Sequence, residues 1–234
     1  MPGQGYHYGG ARLVAQKVGK EFTNDMAVGN WVLDALNTAA GSRRCTHFTG
    51  GAGCVLPQKN ELRQSLKIQS WDSQYKKSYL VDPRIEMRLM EAANIHIPEG
   101  DYKDGIRLHL LFDRSYDQLV QTKIFDFSKQ KDDIVIVRAT GKEISGGDFR
   151  KALYGMYPML DQYLMRKAGI TAEEVEESKA LLRATMAHEH AEFICGYLNY
   201  NPNFEWKDNE FFTMEMMDAL IDETVETAVK YLKW

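Results

Sequence analysis

The densest set of potentially chemical side chains lies in residues 171–199, where His188, Glu189, His190 and Glu192 follow one another closely. On an α-helix, residues two apart are rotated by about 200°, so His188 and His190 point in different directions and do not share an ion. His188 and Glu192 are four residues apart and share a face, which is the spacing of helical metal ligands. One hypothesis is therefore a metal-dependent hydrolase or nuclease that uses His188 and Glu192. The alternative is an ordinary solvated ion pair.

Arg183 precedes His188 in the same stretch, with four residues between them. This pair resembles the R-x4-6-H signature of HEPN-type ribonucleases, in which the Arg and the His act at a cleft between two protomers. The polar residue that often follows the Arg in that family is Ala184 here. The resemblance implies a dimeric ribonuclease with Arg183 and His188 as candidate catalytic residues. The alternative for Arg183 is a cation on the surface of a helix.

A second group of candidate metal ligands lies in the glycine-rich loop 43–55, which contains Cys45, His47 and Cys54. Thiolate and imidazole groups are the ligands that zinc prefers, but this loop lacks the second close pair of a typical zinc motif. The same loop could present backbone N–H groups to an anion, or a nucleophilic Cys beside a His. The alternative is a glycine-rich turn whose thiols are buried.

The composition excludes several classes of protein. The chain has 234 residues and a formal net charge of −4, so its overall charge does not indicate nucleic-acid binding. Three widely spaced cysteines argue against a disulfide framework and indicate a reducing compartment. The sequence has no signal-peptide pattern and no apolar run long enough to span a membrane. We expect a soluble, cytoplasmic protein.

The first ten residues contain four glycines together with Tyr6 and Tyr8, and we predict a flexible arm at 1–10. Because aromatic residues are enriched in contact surfaces, this arm could order against a second subunit. Tyr154 and Tyr157 belong to a segment rich in tyrosine and methionine, which is typical of a core or of a subunit contact. These four tyrosines are the candidate interface residues of a homo-oligomer.

Hydrophobic periodicity divides the rest of the chain into helices and strands. The predicted helices span 24–40, 148–168, 171–199 and 210–233, and a further helix begins at Asp82 and Pro83. The predicted strands comprise a hairpin within 62–81 and three strands at 106–112, 119–127 and 134–139. Because 134–137 is apolar on both faces, we place it in the centre of the sheet. We place His109 on the polar face of the strand 106–112.

The C-terminal helices carry matching apolar stripes. We predict that helix 171–199 begins with a capping box formed by Thr171 and Glu174. It should then pair with the last helix as an antiparallel hairpin, buried along Met186, Phe193, Met217 and Ile221.

These patterns predict an α+β fold with a central antiparallel β-meander and a C-terminal helical hairpin. We expect one domain at 11–234, whose helical half begins at about residue 146. The function expected first is a non-catalytic, self-associating structural or assembly protein that acts through protein–protein contacts. A metal-dependent hydrolase or nuclease with a divalent metal is the second hypothesis, and the HEPN-like ribonuclease is the third.

Overall fold

The computed structural model describes residues 3–35 and 99–232. The described helices are α1 (Gln4–Val18), α2 (Asn24–Ala35), α3 (Asp101–Leu119), α4 (Gly146–Lys167), α5 (Ala172–Thr185), α6 (His188–Tyr197) and α7 (Met214–Leu232). The described strands are β1 (Phe125–Asp126), β2 (Ile134–Val137) and β3 (Glu143–Ser145). The described part is therefore mostly helical with a small antiparallel sheet, in agreement with the predicted α+β class.

Four predicted features lie outside the described residues. They are the loop 43–55 with Cys45, His47 and Cys54, the hairpin within 62–81, the helix predicted to begin at 82–83, and the end of the helix predicted at 24–40.

Residues 4–10 are helical and buried, which corrects the prediction of a flexible arm over this part of 1–10. Tyr6 is fully buried, and its ring meets the ring of Phe112 edge to face at 5.5 Å. Tyr8 packs on Trp31 with the ring centroids 4.8 Å apart. Both tyrosines are therefore part of the core of their own chain.

The glycines of α1 allow close packing against α4 and α3. A Cβ atom at Gly9 would lie 2.5 Å from the carbonyl carbon of Leu164, and one at Gly10 would lie 2.4 Å from the ring of Phe112. Contacts this short exclude any side chain larger than hydrogen unless the helices move apart. Glycine is a poor helix former in isolation, so the composition indicates an arm, whereas tertiary packing makes this segment a helix.

Helices α2 and α3 approach each other equally closely. A Cβ atom at Gly29 would lie 2.0 Å from the carbonyl oxygen of Tyr102, and one at Gly105 would lie 2.1 Å from that of Met26. The two backbones therefore touch through their glycines. This contact brings the side chains that follow on each helix within reach of one another.

The strand predicted at 106–112 is wrong, because these residues belong to α3. The alternation of Ile106, Leu108, Leu110 and Phe112 with polar residues suggested a half-buried strand. However, His109 and Asp113 are buried as well. Residues 106, 109, 110 and 113 then follow the helical spacing i, i+3, i+4, i+7.

The sheet is short and has the strand order β1-β2-β3 with antiparallel pairing throughout. Phe125 pairs with Val137, and Ile134 pairs with Ser145. The central place predicted for residues 134–137 is confirmed, whereas β1 is only a short part of the strand predicted at 119–127. Ser145 then caps α4 by accepting a hydrogen bond from the backbone N–H of Asp148 at 3.0 Å.

The long helix predicted at 171–199 is divided into α5 and α6. The capping box of Thr171 and Glu174 is present as predicted. Met186 and Ala187 adopt extended backbone angles and end α5 before α6 begins. The interruption rotates the second half of the segment, so that Ile194 is buried while Tyr197 is exposed.

The last helix, α7, packs mainly against α1 and α3. Its residues Met217 and Ile221 lie in a hydrophobic cluster with residues of those helices. Met186 and Phe193 instead lie at the edge of a second cluster, formed largely by α2, α5 and α6. The apolar stripe of α7 therefore packs on helices other than its predicted partner.

In the part of the chain that the structure describes, no helix combines the length and apolar character needed to cross a membrane.

Candidate metal centre

Three buried side chains from three helices converge between α1, α2 and α3. His7 lies on α1, Asp34 on α2 and His109 on α3. Each offers a donor atom, and these three atoms all lie within 4.8 Å of one another. Both histidines are fully buried and Asp34 is 6% exposed, so the group lies inside the protein and not on its surface.

A second carboxylate lies against both histidines. Asp113 is one helical turn after His109 on α3 and is also buried. Its Oδ1 lies 3.2 Å from Nε2 of His7, and its Oδ2 lies 3.6 Å from Nε2 of His109. The spacing of four residues places His109 and Asp113 on one face of the helix.

The protonation of His109 follows from its neighbour on α2. Its Nδ1 lies 2.7 Å from the backbone carbonyl oxygen of Asn30. A carbonyl oxygen can only accept a hydrogen bond, so Nδ1 must carry the proton. In the neutral ring, Nε2 then presents a lone pair toward the carboxylate of Asp113. Two lone pairs that face each other at this distance favour a proton or a metal ion between them.

His7 is held without hydrogen bonds from the described residues. Burial, together with the nearby charge of His109, lowers the pKa of His7 to about 4, so the ring is neutral at pH 7. Although Nε2 lies 3.2 Å from Oδ1 of Asp113 as an ion-pair contact, neither ring nitrogen makes a well-formed hydrogen bond to the described residues. A fully buried imidazole in this state is unusual, since leaving a buried polar group unsatisfied costs roughly 1–3 kcal/mol.

Outer contacts fix the orientation of the site residues. Gln4 donates a hydrogen bond from Nε2 to Oδ2 of Asp34 at 2.7 Å, and both residues are buried. The Asn30 carbonyl performs the corresponding role for His109. Such contacts to the non-ligating side of a ligand are typical of metal sites, where they set the direction of the donor atom.

No protein-family model matches this chain, and no curated protein or solved structure is detectably similar to it.

The donor set itself indicates the class of ion. Two imidazoles and one or two carboxylates form a mixed nitrogen and oxygen environment, which suits zinc, iron or manganese better than calcium or magnesium. His7 is neutral at pH 7 and buried, so it need not lose a proton to bind a cation. The arrangement can therefore hold a divalent transition-metal ion.

The candidate metal ligands His188 and Glu192 lie away from this buried group. His188 is exposed at the start of α6, and partly exposed Glu192 accepts a hydrogen bond from Nε of Arg183 at 2.6 Å. Within the described residues, no third ligand completes a metal-binding group with His188 and Glu192. Arg183 and His188 are on separate helices, α5 and α6, and not on the one helix that the ribonuclease resemblance assumed.

The four candidate interface tyrosines differ in exposure. Tyr6 and Tyr8 are buried within the chain, so they are not free to contact a second subunit. Tyr157 is partly buried and packs against the first hydrophobic cluster. Tyr154 is 58% exposed and is the member of this set that remains on the surface.

The site residues of the buried group were missed in the sequence for separate reasons. His7 was assigned to a flexible arm, and His109 was placed on a strand. Asp34 lies between apolar residues of α2 and carries no motif. The one usable signal is the pair His109 and Asp113, whose spacing of four is that of helical metal ligands once residues 101–119 are read as a helix.

Proposed function

We propose that this protein is a metal-dependent hydrolase whose divalent ion is held by His7, Asp34 and His109. The observation that supports this most strongly is the convergence of three buried donor atoms, from three helices, within 4.8 Å of one another. The hydrolase hypothesis drawn from the sequence is kept, but His188 and Glu192 are replaced as the proposed ligands.

The state of His7 favours a metal over a purely structural cluster. A structural histidine in a protein core normally satisfies its ring nitrogens with hydrogen bonds. Neither nitrogen of His7 does so among the described residues, although the residue is fully buried. Coordination of an ion would use one of these nitrogens and would offset the cost of burying it.

The reaction class follows from the neighbouring carboxylate. His7, Asp34 and His109 would hold a divalent ion, which would supply a water-derived nucleophile at neutral pH. Asp113 lies beside both histidines and is positioned to accept the proton that this water loses. The water oxygen would bond to the carbon or phosphorus of the substrate, the bond to the leaving group would break, and Asp113 would give its proton to that leaving group and return to its charged form.

Metal analysis and activity assays test the two parts of this proposal separately. The protein is purified without chelator and its metal content is measured by mass spectrometry. We expect stoichiometric zinc, iron or manganese in the wild type, loss of the ion in His7→Ala and His109→Ala, and full retention in the control His190→Ala. Equal metal content in all four proteins would rule out this site.

The second part uses the metal-loaded protein. It is assayed against chromogenic phosphomonoesters, phosphodiesters and carboxylic esters, before and after removal and return of the ion. We expect hydrolysis of at least one class, lost with the ion and restored by it. Stoichiometric metal without hydrolysis of any class would leave a metal-binding protein and exclude the hydrolase.

Self-association is a second candidate function, and one observation favours it. Tyr154 is 58% exposed and meets Tyr157 edge to face at 5.6 Å, so an aromatic pair lies at the surface of α4. Paired aromatic residues are enriched in protein interfaces. We expect Tyr154→Ser to shift the sedimentation distribution toward smaller species if this surface joins subunits. An unchanged distribution would exclude Tyr154 from any interface.

A further inference from the structure

A buried carboxylate from α4 lies at the N-terminus of the helix that carries His7. Asp161 is 7% exposed, and its Oδ1 accepts a hydrogen bond from the backbone N–H of Tyr6 at 3.0 Å. The backbone N–H groups of Gly3 and Gly5 also favour the charged form of this carboxylate. Asp161 thus caps the first turn of α1 through Tyr6.

The first helical turn depends on this contact because α1 supplies no cap of its own. The residue at its N-cap is Gly3, which has no side chain to accept a hydrogen bond. The first N–H groups of a helix lack partners within the helix, and its N-terminus attracts negative charge. Asp161 satisfies both requirements from a different helix.

Glycines make room for the carboxylate. A Cβ atom at Gly3 would lie 2.2 Å from Oδ2 of Asp161, and one at Gly5 would lie 2.8 Å from its Cβ. Neither position tolerates a side chain while Asp161 stays in place. The two glycines and the aspartate therefore form one unit that fixes where α1 begins.

We propose that Asp161 is a positioning residue of the metal site, and this inference rests on the function proposed above. Asp161 holds the N–H of Tyr6, and His7 is the next residue along α1. A shift in the first turn of α1 moves the His7 ring relative to Asp34 and His109. A metal site tolerates little displacement of its ligands. Its affinity for the ion therefore falls when a contact that holds a ligand in place is removed.

The competing explanation is that Asp161 contributes only to general stability. In that case any equally destabilising change on α4 would weaken the metal site to the same degree. Leu160 is the matched control because it is adjacent on the same helix and is fully buried in the first hydrophobic cluster. It makes no hydrogen bond to the start of α1.

The experiment compares metal affinity at matched stability. The dissociation constant for Co²⁺ is measured by competition with a chromophoric chelator, and the absorption spectrum of bound Co²⁺ is recorded. We expect Asp161→Ala to weaken binding about 10–100-fold, as for other supporting contacts of metal ligands, with an altered Co²⁺ spectrum. Asp161→Asn, whose amide oxygen still accepts N–H groups, should restore most of the affinity. Leu160→Ala should lower the thermal midpoint but leave affinity and spectrum near those of the wild type.

A second variant covers the case in which Asp161→Ala does not fold. Gly3→Ala lies at the partly exposed start of α1 and displaces the carboxylate by direct overlap. Gly3→Ala should weaken Co²⁺ binding, as Asp161→Ala does. Wild-type affinity in Asp161→Ala or, if that variant is unfolded, in Gly3→Ala would overturn the role of Asp161 while the metal site stands. Failure of the wild type to bind Co²⁺ would instead overturn the proposed function and, with it, this inference.

Discussion

The imidazole rings of His7 and His109 stack with their centroids 3.9 Å apart and their planes 16° from parallel. The two residues come from α1 and α3, and the Nε2 atoms of both rings lie close to Asp113. Two stacked imidazolium ions would repel each other strongly in a buried environment. The pair is therefore not suited to carry two bound protons.

The first prediction concerns the tautomer of His109. Because Nδ1 donates to the Asn30 carbonyl, we expect the metal-free protein to show a protonated Nδ1 on His109. Long-range ¹H–¹⁵N correlation spectra of imidazole-labelled protein report this directly. If Nε2 of His109 binds the ion, its ¹⁵N resonance should shift when Zn²⁺ is added. An Nδ1 without its proton in the metal-free protein would contradict the assignment.

The second prediction concerns the pH dependence of stability in metal-free protein. Burial lowers the pKa of His7 from 6.5 to about 4, so the unfolded chain takes up this proton first and stability falls as pH drops from about 6.5 to about 4. Burial raises the pKa of Asp161 from 3.8 to about 7, so the folded chain takes up that proton first and stability rises as pH drops from about 7 to about 4. The two contributions oppose each other.

Removing either group should therefore reveal the other. With chelator present, denaturant unfolding of Asp161→Asn should show stability that falls more steeply with acid than in the wild type. In His7→Gln, stability should instead rise as pH is lowered from 7 to 5. Each pKa unit corresponds to about 1.4 kcal/mol, so the slopes are large enough to measure. Parallel pH profiles for the two variants would refute this assignment.

The third prediction separates packing glycines from exposed ones. Gly29→Ala places a Cβ atom 2.0 Å from the carbonyl oxygen of Tyr102, so we expect a loss of about 1–3 kcal/mol or more. The control is Gly155→Ala, also within a helix but with no atom within 4 Å of the added Cβ. Because alanine is the better helix former, this variant should gain roughly 0.5–1 kcal/mol. Equal effects of the two changes in urea unfolding would argue against the close contact of α2 and α3.

The fourth prediction tests the interruption between α5 and α6. Ile194 is fully buried, so Ile194→Ala should destabilise the protein by about 2–5 kcal/mol. Phe193 is only partly buried, so Phe193→Ala should cost less than the roughly 3–5 kcal/mol of a fully buried aromatic residue. The unbroken helix predicted from the sequence would bury Phe193, so Phe193→Ala would then cost more stability than Ile194→Ala. Chemical denaturation of both variants distinguishes the two arrangements.

Local signals in the sequence predicted the parts of the fold that depend on near neighbours. The capping box at Thr171 and Glu174, the central strand at 134–137, and the end of α4 near Gly169 are all present. Each involves hydrogen bonds or backbone angles within a few residues, which the sequence specifies directly. The α+β class follows from such local patterns as well.

The candidate site could not be predicted in the same way. Periodicity assigns buried positions to apolar residues. His109 was therefore counted as an exposed polar residue, and its alternation with Leu108 and Leu110 made α3 resemble a strand. The glycines near His7 indicated flexibility, because their contact with α4 is not visible along the chain. Only the spacing of His109 and Asp113 pointed to a shared face, and it did so only once α3 was known to be a helix.

The sequence by itself determined the elements whose hydrogen bonds are local, and it supplied the histidines and carboxylates. The tertiary structure decided which of them meet. Spacing along one helix relates only the side chains of that helix, whereas His7, Asp34 and His109 lie on three different helices. Their separation depends on the distance between helix axes, which Gly29 and Gly105 set for α2 and α3 by allowing backbone contact. That distance belongs to the packed helices and is not encoded in the spacing of the ligands.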